Sequence, residues 1–70
     1  MRLEQLVARA LDKIGNDKYL LAVAVSKRAT QLNKGAKPLI DIDVKKFKYT
    51  DIAIMEIAEG KLKIDSVIDN

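Results

Sequence analysis

Asp41 and Asp43 are the first residues in this sequence whose spacing suggests chemistry. In an extended segment they fall on one side, about 6–7 Å apart, where two carboxylates can hold a divalent cation or divide the roles of acid and base. No further oxygen ligands stand near them in the chain, so a solvated strand face accounts for the pair. Lys45, Lys46, Phe47, Lys48 and Tyr49 interleave cations with rings, the composition of a surface that meets phosphates and stacks bases. The same five residues also read as a solvated linker with two rings docked in the core. Asn33, Lys34, Gly35, Ala36 and Lys37 lack the G-x-x-x-x-G-K-[ST] spacing of a phosphate-cradling loop and have one Gly where several are needed. Ser26, Thr30 and Thr50 have no histidine to activate them, since the chain contains none. The absence of Cys removes disulfides, thiolate nucleophiles and the usual zinc sites. The expectation is no catalytic residue, no metal site and no cofactor.

The elements that must carry these residues are few, because 70 residues make one small domain spanning residues 1–70. A chain of this size buries only about 60% of its unfolded surface, so a partner is the natural supplement to its core. With 49% hydrophobic and 33% charged residues, one Pro and three Gly, the composition is that of an ordered protein. Thirteen basic against ten acidic side chains leave a net charge of +3, with the signs interspersed along the chain. The longest uncharged apolar stretch, residues 19–26, lies between Lys18 and Lys27 and is far short of the roughly 18 residues a membrane span requires. Glu4, Arg9, Asp12 and Lys13 interrupt the first turns where an export signal would be apolar, so a cytoplasmic location away from membranes is expected.

Leu3, Leu6, Val7, Ala10, Leu11 and Ile14 recur at helical spacing, with Arg2, Glu4, Gln5, Arg9, Asp12 and Lys13 opposite. Gly15 ends that helix, and Asn16 or Asp17 caps the next. The second helix is predicted over residues 18–32, with Leu21, Val25, Ala29 and Leu32 as its core stripe. Tyr19, Leu20, Val23 and Ala24 point elsewhere, and Lys27 and Arg28 form a polar flank. Residues 33–38 read as a loop, and residues 39–44 as an extended segment with Ile40, Ile42 and Val44 inward and both aspartates outward. Thr50 is placed to cap a third helix ending at Gly60, with Ala53, Ile54, Met55, Ile57 and Ala58 on a broad apolar arc opposite Glu56 and Glu59. The tail over residues 61–70 has no regular period and is expected to form a short helical turn or to fray, with residues 62–70 as the part that frays. The fold predicted is all-α: three main helices, an extended loop between the second and third, and a short tail. The second and third helices offer more apolar surface than one stripe each. Either the second helix lies between the other two, or the remainder binds a protein.

Particular strings then become recognisable. They are Asp12-Lys13-Ile14-Gly15-Asn16, then Lys27-Arg28-Ala29-Thr30-Gln31-Leu32, then Gly35 with Pro38-Leu39. After them comes Thr50-Asp51-Ile52-Ala53-Ile54-Met55-Glu56-Ile57-Ala58-Glu59-Gly60-Lys61-Leu62. In this order and spacing, over residues 12–62, the sequence resembles the omega subunit of bacterial DNA-dependent RNA polymerase. The resemblance extends to the common small subunit of archaeal and eukaryotic polymerases. It implies a non-catalytic accessory subunit of a nucleotidyltransferase, within an alpha2-beta-beta-prime-omega core enzyme. That subunit latches onto the carboxy-terminal region of beta-prime and helps it fold and join alpha and beta, meeting DNA only through the complex. With the helical projections, the resemblance puts the beta-prime contacts at Leu20, Val23, Ala24, Lys27, Arg28, Ile52, Ala53, Met55 and Glu56. Some family members bind guanosine tetraphosphate (ppGpp) through a Met-Ala-Arg start. Here the start is Met1-Arg2-Leu3-Glu4; Glu4 falls near that arginine's place and repels a polyphosphate, which leaves Arg2 to reach it. The family's usual arginine after the asparagine is also replaced, by Asp17-Lys18-Tyr19. The alternative reading is a small basic nucleic-acid-binding protein using Lys45, Lys46, Phe47, Lys48 and Tyr49.

Overall fold

The structure is a computed structural model and describes residues 2–63. Three helices follow one another, α1 (Leu3–Lys13), α2 (Lys18–Asn33) and α3 (Tyr49–Ala58), with no strand among the described residues. The all-α expectation holds. In α1 the periodic apolar side turns inward: Leu6 and Ala10 are buried, and Val7, Leu11 and Ile14 pack beside them. Leu3 departs from that pattern and stays on the surface.

One backbone device ends all three helices. The second residue past each helical cap donates its N–H back to a carbonyl three residues inside the helix end, closing a Schellman turn. The bonds are Asn16 N–H to the Leu11 carbonyl at 2.7 Å, Ala36 to Gln31 at 3.1 Å and Lys61 to Glu56 at 2.9 Å. After α1 the chain passes through two successive left-handed residues, Gly15 (φ 72°) and Asn16 (φ 62°). Asn is one of the few side chains that tolerates this region. Asp17 then caps α2, its Oδ1 accepting the Leu20 N–H at 3.0 Å. The corner between α1 and α2 is thereby built from local bonds alone.

The start of α3 differs from expectation. Lys48, not Thr50, is the N-cap residue, and no side chain caps the helix. The Lys48 carbonyl accepts the Ile52 N–H at 3.0 Å, which draws Tyr49 and Thr50 into the first turn. Asp51, in that turn, offsets the missing cap by placing negative charge near the positive end of the helix dipole.

The middle element is α3 rather than α2: it packs against both other helices, which touch each other far less. This accounts for its broad apolar arc, since Ile52, Ala53, Ile57 and Ala58 are all essentially inaccessible. Each buried Ile stabilises the fold by roughly 1.5–3 kcal/mol relative to an exposed one. On α2 the buried stripe is Leu21, Ala24, Arg28 and Leu32, rotated from the expected one so that Val25 and Ala29 are only half-buried. The main core joins Leu6, Ala10, Leu21, Ala24, Ile57, Ala58 and Leu62.

Residues 39–44 form no strand, yet Ile40 and Ile42 are half-buried while Asp41 and Asp43 are exposed, as the alternation implied. Val44 breaks the pattern because a turn starts beside it: Asp43 accepts the Lys46 N–H on its carbonyl and the Lys45 N–H on its side chain, both at 3.0 Å. Leu62, expected to begin the frayed tail, is buried instead; residues 64–70 lie outside the described part.

Gly60 tests the helix-ending device. Its φ is +71°, and a Cβ there would meet only the tip of the Lys13 side chain, 3.8 Å away. Gly60→Ala is therefore expected to lose about 1 kcal/mol from the left-handed backbone alone, read as a fall of about 4–8 °C in thermal midpoint by circular dichroism.

Candidate functional site

Among the described residues two charged side chains lie inside the molecule, Arg28 at 6% exposure and Glu56 at 0%. Arg28 occupies a position of the buried α2 stripe and Glu56 one of α3, and the two helices bring them together. The Arg28 Nε donates to Glu56 Oε1 at 2.7 Å and Nη2 donates to Oε2 at 2.9 Å, a bidentate fork. The guanidinium also donates from Nη1 to Gln31 Oε1 at 3.0 Å and from Nη2 to the Lys37 carbonyl at 3.1 Å. Glu56 Oε2 accepts one more bond, from the Leu39 N–H at 2.8 Å. The pair thus clasps the loop after α2 at Lys37 and Leu39 and leaves no described buried side-chain nitrogen or oxygen unpartnered. The Glu56 hydrogen bond, aided by its charge, raises the Arg28 pKa above the ordinary arginine range against the lowering effect of burial. A raised value means the stabilisation from charged Arg28 is present throughout the neutral range and is lost only in strong alkali.

This corrects two expectations. Arg28 is not on a polar flank, and Glu56 does not share an outer face with Glu59, because each charge neutralises the other where neither could be buried alone.

The residues proposed as beta-prime contacts separate by depth. Ala24, Arg28, Ile52, Ala53 and Glu56 are buried in the chain; Leu20, Val23 and Met55 are half-buried, and Lys27 is exposed. Leu20 lines an open groove of about 440 Å³ with Lys13, Ile14, Ile57, Gly60, Leu62 and Lys63. Met55 lines a second, of about 360 Å³, with Leu6, Arg9, Phe47 and Glu59. Sequence reasoning missed Leu6 and Phe47 as groove walls, since the loop that brings Phe47 against α1 and α3 has no periodic signal. Arg2 is exposed as the N-cap residue of α1, with Glu4 in the first turn. Among the described residues no three His, Cys, Asp or Glu side chains gather as metal ligands, and no helix is long and apolar enough to cross a membrane.

This helical frame and its sequence can be set beside known proteins. The family model described as RNA polymerase Rpb6 matches residues 9–64. A DNA-directed RNA polymerase subunit omega from a Nitratiruptor species is 63% identical over 65 residues, covering 93% of each chain. The chain belongs to the omega-subunit family. Omega subunits from Campylobacter lari and Helicobacter hepaticus are each 49% identical over 69 residues; the matches cover 99% of this chain and 96% and 93% of theirs. No solved structure gives a significant match. In this omega-family chain the strings that carried the resemblance hold the structural devices just described: Gly15-Asn16 the left-handed corner, Arg28 and Glu56 the buried fork.

Breaking that fork tests its weight. Glu56→Ala strands a buried guanidinium and the Leu39 N–H, and a loss of about 3–5 kcal/mol is expected in urea unfolding. The paired Arg28→Met, Glu56→Leu variant is expected to lose less, while hydrogen exchange at the Leu39 amide quickens in both.

Proposed function

We propose that the chain is a non-catalytic accessory subunit of cytoplasmic DNA-directed RNA polymerase. It latches onto beta-prime within the alpha2-beta-beta-prime-omega core enzyme and promotes beta-prime folding and assembly with alpha and beta. Family membership supports the polymerase assignment. The observation that carries the latch is apolar surface left outside a closed fold: Tyr19 is 79% and Leu3 52% exposed, and Leu39, Val44 and Phe47 are exposed too. The widening of α3 is consumed by its central place, so the unspent apolar surface lies at Tyr19 with half-buried Leu20 and Val23 on α2, at Leu3 on α1, and along the loop at Leu39, Val44 and Phe47. Leu20, Val23, Lys27 and Met55 would touch the partner, with Ala24, Arg28, Ile52, Ala53 and Glu56 beneath them holding the two helices in register. A subunit of this kind acts by mass action, stabilising the assembled state it binds over the unassembled one and restricting the segments it clamps.

Size-exclusion chromatography of the labelled chain, mixed in moderately high salt with same-species polymerase lacking it, tests the latch. The expected result is co-elution at one copy per enzyme, nearly insensitive to salt because the contact is mainly apolar. Leu20→Asp with Val23→Asp should abolish co-elution while leaving the helical dichroism in place. Elution of the unmodified chain alone would overturn the proposal.

Arg2 is proposed as the one side chain near the start that could reach ppGpp, opposed by Glu4. Calorimetric titration of assembled polymerase with and without the chain is expected to show only a small gain in ppGpp affinity, and Arg2→Ala to remove it.

A further inference from the structure

The latch counts Phe47 among its exposed apolar residues but leaves Lys45, Lys46 and Lys48 around it, and Tyr49 after them, unexplained. We infer that this segment is a weak single-stranded nucleic-acid contact, its lysines meeting phosphates and its two rings stacking on bases.

The turn closed by Asp43 holds the start of the segment, its side chain accepting the Lys45 N–H and its carbonyl the Lys46 N–H. The segment's far end is fixed by the first turn of α3. Between these anchors Lys45, Lys46 and Lys48 are exposed, and none is engaged in an ion pair among the described residues. Of the two readings of the rings, docked or displayed, the structure favours display: Phe47 is 43% and Tyr49 38% exposed. Phe47 shares a groove with Leu6 and Met55, which gives the ring a backing while part of it faces solvent. A ring held at one side and open at the other is a stacking platform, and every base offers it a face whatever its identity. The interleaving selects the partner. An acidic peptide would use the lysines but leave the rings idle, and a duplex has no unstacked bases to offer them.

Asp43 and Asp51 flank the segment and temper its field, so binding is modest and limited to the three lysine contacts. Three phosphates on a single strand correspond to a slope of about −2 in log affinity against log salt. The segment spans at most about 18 Å when fully extended, enough for only a few nucleotides.

Fluorescence anisotropy of the full chain with a fluorescein-labelled 12-nucleotide oligo(dT) tests the inference. The expected result is binding that weakens with the slope just given and that exceeds binding to a duplex of equal length. Replacing Lys45, Lys46 and Lys48 together by Gln should lower affinity at least tenfold at low salt and flatten the slope. Phe47→Leu, which keeps an apolar wall in the groove, should lower affinity about fivefold with the slope unchanged, by loss of one stacking partner. Equal binding by the triple variant, equal binding of duplex and single strand, or no binding by the unmodified chain would each overturn the inference. The triple variant should still co-elute with polymerase, because none of the three lysines is among the proposed beta-prime contacts. Nucleic-acid binding and subunit docking can therefore fail separately.

Discussion

The bidentate pair between Arg28 and Glu56 is the constraint on which the arrangement of the chain turns. Taking two charges out of water is expensive, and their mutual attraction offsets this only when the geometry is good and the remaining donors and acceptors are satisfied. Here every one of those conditions is met by a different part of the molecule: α2 supplies the guanidinium and Gln31, α3 the carboxylate, and the loop a carbonyl at Lys37 and an N–H at Leu39. A shift of any of these elements would leave a buried polar group without a partner. An apolar pair could hold two helices together with several registers; a fork with fixed directions holds them in one.

That arrangement gives the small fold two regions of different character. Near the ends of α1 and α3, apolar contacts among Leu6, Ala10, Leu21, Ile57 and Leu62 do the work without direction. At the Arg28 and Glu56 level, hydrogen bonds fix the path of a loop that has no regular structure. The exposed Leu39 side chain is thus carried on a backbone that is itself anchored.

Much of this was legible in the residues. The period of α1, the helix-ending glycines, the cap at Asp17 and the inward turn of Ile40 and Ile42 follow from local rules that act within a few positions. What was not legible depended on partners distant in sequence. Arg28 and Glu56 read as surface residues because charge usually lies there; the signal available was that each occupies an apolar stripe, Arg28 between Ala24 and Leu32, Glu56 between Ile52 and Ala53 on one side and Ile57 on the other. Two opposite charges, each in the wrong face of its own helix, point to one another. The central place of α3 was hidden for the same reason, since a wide apolar arc does not say whether two internal neighbours or one external partner covers it. The proposed contact residues illustrate the limit most clearly: helical projection brought together residues of one arc, and the fold separates them into a buried layer and an accessible one.

Because α3 is both the central helix and the last of the three in chain order, the order of synthesis bears on how the molecule comes together. When α1 and α2 leave the ribosome, they have little of each other to pack against, and the buried guanidinium on α2 still lacks its carboxylate. Nothing durable can form until α3 arrives, at which point both helices and the loop between α2 and α3 find their common support at once. Until then the apolar sides of α1 and α2 stay uncovered in the nascent chain, and Leu6, Ala10, Leu21 and Ala24 are buried together in a single late step.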